Sequence, residues 1–184
     1  MKASIEIELL GATPDDDLVR TITELVNRVY VVAEDGLWVQ GATRTTISEM
    51  AELIAAGQIA VARLDGQLAG AVRIQQLDAR TGEFGMLVAD PAHRGEGIGR
   101  RLVAFAEETS RRRGLTVMQL ELLVPREWTH PTKAFLHAWY TRIGYRPVQS
   151  GTIDESYPRL APLLATPCDL VVYHKELTSS AGRG

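Results

Sequence analysis

Hydrophobic and polar positions along the chain change period repeatedly, and each change marks an element. "SIEIELL" (4–10) alternates with the period of two expected of a half-buried strand. "PDDDLVRTITELVNRVYVV" (14–32) places Leu18, Ile22, Leu25, Val26 and Val29 on one helical face, with aspartates at the positive end of the helix dipole. A linker with Gly36, Trp38 and Gly41 leads into "TRTTISEMAELIAAG", where Thr46 and Glu49 fit a capping box and Gly57 supplies the stop. "QIAVARLDGQLAGAVRIQQLD" reads as two antiparallel strands joined by a tight turn at Asp65 and Gly66. A strand at 83–89, a helix at 97–113 closed by Gly114 and a strand at 116–124, apolar enough to be buried on both faces, follow. The spacing then predicts a last long helix at "TKAFLHAWYTRI", with Phe135, Leu136, Trp139 and Ile143 as its apolar stripe and Tyr140 at the stripe's edge. An edge tyrosine buries its ring and wets its hydroxyl. "YRPV" and "CDLVVYHKEL" are the final strands.

This order predicts an α/β (α+β) domain: a mixed sheet of about seven strands with helices packed on both faces, spanning 1–178, and a disordered tail at 179–184. The strands at 83–89 and 116–124, joined by a helix, should form a parallel crossover. Between that first strand and helix lies "VADPAHRGEGIGRRLV", with glycines at 95, 97 and 99. Alternating glycines expose backbone N–H groups at a helix N-terminus, where the dipole attracts phosphate. The Rossmann pattern fails in both registers, because its last glycine would fall on Arg100 or Leu102. A P-loop is excluded by the lack of any Gly-Lys-Ser/Thr.

What remains is Arg94-x-x-Gly97-x-Gly99 directly after a strand, and this segment resembles the acyl-CoA-binding motif of the GCN5-related N-acetyltransferase (GNAT) superfamily. The resemblance extends over "GEFGMLV", the helix ending at Gly114, "QLELLV" and "WYTRIGYRPV". It implies an acetyl-CoA-dependent N-acetyltransferase, with acetyl-CoA as co-substrate. By the resemblance, Arg94, Gly95, Gly97, Ile98, Gly99 and Arg100 hold the pyrophosphate, while backbone groups of Leu87, Val88 and Ala89 pair with the pantetheine arm. Tyr140 falls where the family has its tyrosine, followed four residues later by Gly144, and becomes the proton donor to the departing thiolate. A tyrosine near pKa ~10 against a thiol near ~8.5 is a usable donor. Lys133 departs from the asparagine that many members carry near the start of this helix.

An alkylamine acceptor near pKa ~10.4 is neutral in only about one part in a few thousand at pH 7, a deficit of roughly 4–5 kcal/mol, so a general base is expected. Glu83, at the start of the glycine-loop strand, and Glu121, interrupting an apolar strand, are the candidates; the alternative for Glu83 is a strand-end surface carboxylate, and for Glu121 a structural hydrogen bond. Glu34 and Asp35, beside Trp38, more plausibly shape the acceptor pocket than act as base. "DGLWVQGATRTT" and "IDESYPRLAPLLATPCD" should line the acceptor side, and Trp38, Tyr157, Leu160 and Leu163 suit a small, partly apolar amine.

Composition narrows the rest. With 184 residues, 45% hydrophobic and 23% charged, and a net charge of −3, the chain gives no reason to expect nucleic acid as a partner. No apolar run suits a signal peptide or a membrane span, so a cytoplasmic location without membrane association is expected. Cys168, the single cysteine, reads as a buried inert thiol at a strand entry. The histidines show no H-x-x-x-H pair, so no metal is expected. A homodimer is the default assembly. A protein or peptide N-acetyltransferase, a non-catalytic acyl-CoA sensor and a CoA-independent interaction domain are the competing readings.

Overall fold

In a computed structural model, which describes residues 4–11, 13 and 15–178, helix and strand alternate much as the hydrophobic pattern predicts. The elements are β1 (Ile5–Leu9), α1 (Asp16–Ala33), α2 (Ile47–Ala55), β2 (Ile59–Leu64), β3 (Gln67–Gln76), β4 (Thr81–Ala89), α3 (Ile98–Arg112), β5 (Val117–Pro125), α4 (Pro131–Arg142), β6 (Arg146–Thr152), the single turn α5 (Ile153–Ser156) and β7 (Cys168–Glu176). The tail at 179–184 lies outside the described residues. The sheet order is β1-β2-β3-β4-β5-β7-β6, antiparallel throughout except for the β4–β5 pair.

Local chemistry sets several boundaries. Asp15 caps α1 by accepting from the Asp17 N–H, and Thr46 caps α2 by accepting from the Glu49 N–H. The Glu49 carboxylate does not complete the expected capping box; it accepts instead from the Thr45 hydroxyl at 2.8 Å. Asp65 and Gly66 both have positive φ, 49° and 83°, as the two-residue hairpin turn requires.

Two apolar layers flank the sheet. Ile22, Leu25 and Val26 of α1, with Met50 and Ile54 of α2, pack on Val61, Ala71, Met86 and Val88. Ile98, Leu102 and Ala106 of α3 pack with Tyr140 and Tyr145 on Ala62, Val72, Phe84, Met118 and Leu120. Gly70 allows α3 to sit close: a Cβ there would lie 2.7 Å from the Val88 carbonyl and 2.8 Å from Ile98. Phe84 belongs to the α3 layer, whereas Met86 and Val88 belong to the α1/α2 layer. Between them Met86 and Leu87 oppose the single residue Val72, a bulge with Met86 at φ 50°. The extra residue switches the faces that the β4 side chains address and bends the strand.

The β4–β5 ladder is short. Its last pair is Glu83 with Gln119, after which β5 stays paired with β7 along its whole length while β4 continues beside β3. The facing edges of Phe84–Ala89 and Leu120–Pro125 therefore carry backbone groups that the neighbouring strand does not satisfy, and the sheet opens there as a wedge.

Candidate active site in the sheet opening

The glycine loop stands at the far end of β4. Asp90 accepts from the Ala92 N–H and pairs with Arg28 of α1, both at 2.9 Å, which fixes the exit from the strand. A 3₁₀ turn at Pro91–His93 follows, and Gly97 is the N-cap of α3 with φ 77° and no side-chain cap. Among the described residues the N–H groups of Gly95, Gly97, Ile98, Gly99 and Arg100 have no backbone acceptor. The space over Gly95 and Gly97 is open. Arg94 and Arg100 are exposed, while the Ile98 side chain is buried as an anchor under α3. The loop thus presents uncovered amides at a helix N-terminus, which fits a phosphate-bearing group.

The wedge opens into a cavity of about 700 Å³, lined by the segment between α1 and α2, by Glu83–Leu87, by Leu120–Leu123, by Lys133, Leu136 and Tyr140, and by Ile153, Tyr157, Leu160 and Leu163. Two of the lining segments are joined by a short antiparallel bridge: Val39 N–H donates to the Leu163 carbonyl at 2.8 Å, and Ala165 N–H to the Leu37 carbonyl at 2.9 Å. Both segments expected on the acceptor side contribute to this lining. Of the proposed pantetheine strand, Leu87 borders the cavity, while Val88 is buried against α1 and Ala89 leads into the loop.

The two candidate glutamates share the cavity but not their surroundings. Glu83 is buried, not a strand-end surface group; one oxygen accepts from Gln75 at 2.7 Å and the other from Gln119 at 2.8 Å. Glu121 accepts from the Tyr157 hydroxyl at 2.5 Å through Oε2, and Oε1 has no protein donor among the described residues. Burial raises the Glu121 carboxyl above its ordinary value, the Tyr157 hydrogen bond opposes this, and the like charge of Glu83 adds to it.

The predicted α4 stripe holds at Leu136, Trp139 and Ile143, which pack against the core, and fails at Phe135. Phe135 is 63% exposed, and the buried residues of α4 are Lys133 and Tyr140. Tyr140 is only 6% exposed, packed between Phe84, Trp139 and Tyr145, so less of it is wet than an edge position implies. Burial raises its hydroxyl well above the ordinary tyrosine value, which keeps it a neutral donor. Lys133, the departure from the family pattern, is turned into the cavity and pairs with Glu34, which also accepts from the Trp38 indole at 2.6 Å. Glu34 is thereby committed to structure, and Asp35 accepts from His130 Nε2 through its backbone carbonyl at 3.1 Å. Cys168 is buried at the start of β7 with its thiol raised by burial. Among the described residues no group of His, Cys, Asp and Glu is arranged to hold a metal ion.

Sequence reasoning did not single out Arg44, Met86, Gln75 or Gln119. Gln119 is a polar break in an apolar strand, the same signal that drew attention to Glu121, whereas Gln75 lies in the polar end of β3 beside Arg73 and Gln76.

A family model described as "Acetyltransferase (GNAT) family" matches residues 20–145, from within α1 to Tyr145. The chain belongs to this family. No curated protein sequence matches it. Among solved structures it resembles an aminoglycoside 6'-N-acetyltransferase complexed with coenzyme A, at 15% identity and TM-score 0.70 over 96% of this chain and 99% of that one. It also resembles a ribosomal-protein-alanine N-acetyltransferase from Brucella melitensis, at 16% identity and TM-score 0.66 over 94% and 99%. N-acetylglutamate synthase from Neisseria gonorrhoeae, complexed with coenzyme A and N-acetyl-glutamate, aligns at 17% identity and TM-score 0.63 over 97% of this chain, which spans only 36% of that enzyme. These likenesses show a GNAT fold. Among the described residues of this GNAT chain, no helix is long and apolar enough to cross a membrane.

Proposed function

We propose that the protein is an N-acetyltransferase that moves an acetyl group from acetyl-CoA to a primary amine of a small molecule, by direct attack in a ternary complex. The observation that supports this most is the opening of β4 away from β5 beyond Glu83, with uncovered glycine-loop amides at one end and a cavity of about 700 Å³ on its flank. An extended amide-bearing arm can pair with the free edge of β4 at Leu87–Ala89, as an added strand does. The amides of Gly95 to Arg100 and the guanidinium of Arg94 then hold the phosphates. When bound, acetyl-CoA supplies an activated acyl carbon and a thiolate leaving group.

The protein's own residues do the remainder. Glu121 is the base, because its Oε1 is open to the cavity and burial has raised its affinity for a proton. Glu83 is saturated by two amide donors and acts as a fixed negative charge that draws in the ammonium form of the acceptor. Tyr140 donates a hydrogen bond to the sulfur, and a backbone N–H near Val88 stabilises the oxyanion. The bridge between Val39 and Leu163 ties together the two segments that line the acceptor side, which supports a small molecule over a protein chain. Thiol release from acetyl-CoA across a panel of amines, amino acids and peptides tests this reading. Turnover with small amines supports it, turnover with peptides alone moves the acceptor to proteins, and CoA binding without turnover on any amine makes the protein a sensor.

A further inference from the structure

We propose that the acceptor carries a carboxylate as well as its amine, and that Arg44 binds this carboxylate; the inference rests on the N-acetyltransferase reading above. Three cationic side chains line the cavity, and two already have partners. Lys133 is neutralised by Glu34. Arg73 donates to Gln58 and Gln75, each at 2.8 Å, and so orients Gln75 toward Glu83. Arg44 is different. Its half-buried guanidinium lies 5.2 Å from the centre of the Tyr30 ring and donates to the Tyr30 hydroxyl; it feels the charges of Glu34 and Glu49, but no carboxylate is within salt-bridge distance among the described residues. Glu49, on the neighbouring α2, spends its Oε2 on the Thr45 hydroxyl instead.

A half-buried guanidinium that spends part of its N–H fork on the Tyr30 hydroxyl and none on a carboxylate favours an anionic partner, and its planar geometry matches a carboxylate in two parallel hydrogen bonds. Among the described residues Arg44 is the one cationic side chain lining the cavity that neither forms a salt bridge nor is held by amide acceptors, and its single charge suits a carboxylate better than a doubly charged phosphate. The field of Arg44 reaches Glu121 and Tyr157, so the carboxylate and amine ends of one small molecule can be served within the same cavity. The apolar wall at Trp38, Leu160 and Leu163 accommodates an aliphatic side chain. The class that satisfies all three surfaces is a free amino acid with an apolar side chain.

The test compares L-leucine and L-methionine with their carboxamides by thiol release, using the full chain and its Arg44→Met, Arg44→Gln and Arg44→Lys variants. Each carboxamide keeps the amine and side chain but removes the charge. The native protein should prefer the acid through KM, by about 10- to 100-fold. That ratio should collapse toward one in Arg44→Met and Arg44→Gln and survive in part in Arg44→Lys. Using the acid-to-amide ratio cancels any general loss of activity in a variant, and the native comparison needs no variant at all. Equal use of acid and carboxamide, or a ratio unchanged by Arg44→Met or Arg44→Gln, overturns the carboxylate site and leaves the N-acetyltransferase reading standing. A lack of thiol release with every amine of the panel overturns both.

Discussion

Glu83 and Glu121 face one cavity from adjacent strands, and their hydrogen bonds assign them different behaviour. Both Glu83 oxygens accept from amide N–H groups, so Glu83→Gln sets an NH₂ against an NH₂ and leaves a buried donor unmatched. We expect a loss of about 1–3 kcal/mol in urea unfolding. Glu121→Gln should instead lower kcat/KM for an alkylamine by about 10²-fold or more and remove the low-pH limb of the profile. Its stability should move the other way. The folded-state carboxyl of Glu121 is raised above the ordinary 4.5, so its contribution to stability is full below that value and lost as pH rises through the folded value. A permanently neutral glutamine avoids that loss, so the variant's melting temperature should match the native one near about pH 4 and exceed it near about pH 8. Tyr140→Phe keeps the ring packed on Phe84 and Trp139. It should reduce kcat by about 10²-fold with CoA affinity unchanged, and an undiminished kcat would remove this tyrosine from the chemistry.

At the level of elements, the β4-to-α3 connection was legible because its signal is local. Strand period, three alternating glycines and helix period lie within one stretch, and Gly97 does adopt the left-handed conformation at the N-cap. Gly97→Val should abolish the thermal shift produced by CoA, which is about 2.7 kcal/mol at a hundredfold excess over Kd. Gly66→Val makes the matched control, since Gly66 also has positive φ but sits in the hairpin of β2 and β3; it should destabilise the fold and keep the CoA shift. The α4 stripe was read less well. Counting apolar residues placed Leu136, Trp139 and Ile143 correctly, but it put Phe135 inside and left Lys133 out, because the cavity's polar floor accepts a lysine that has a carboxylate waiting. Amphipathic periodicity locates a helix and misjudges its face when the surface beneath is itself charged.

Across the whole molecule the Glu34–Lys133 pair joins the end of α1 to α4 over a separation of 99 residues. Both side chains are buried, so removing one strands a charge. Lys133→Met should cost about 3–5 kcal/mol by chemical unfolding, and adding Glu34→Gln should restore most of it. If the single variant is as stable as the native protein, the pair does not hold these elements together. The sequence by itself determined the order of strands and helices, the hairpin at Asp65 and Gly66, the glycine loop and the family, since each depends on periodicity or on residues close along the chain. Tertiary structure alone decided where β4 parts from β5, that Met86 bulges, that Glu83 is saturated, and that among the described residues Glu121 keeps one oxygen without a donor and Arg44 faces the cavity without a salt bridge. Those features are set by partners far away in the sequence, such as Gln119 for Glu83 and Tyr157 for Glu121, and no local pattern encodes which distant side chain will supply a hydrogen bond.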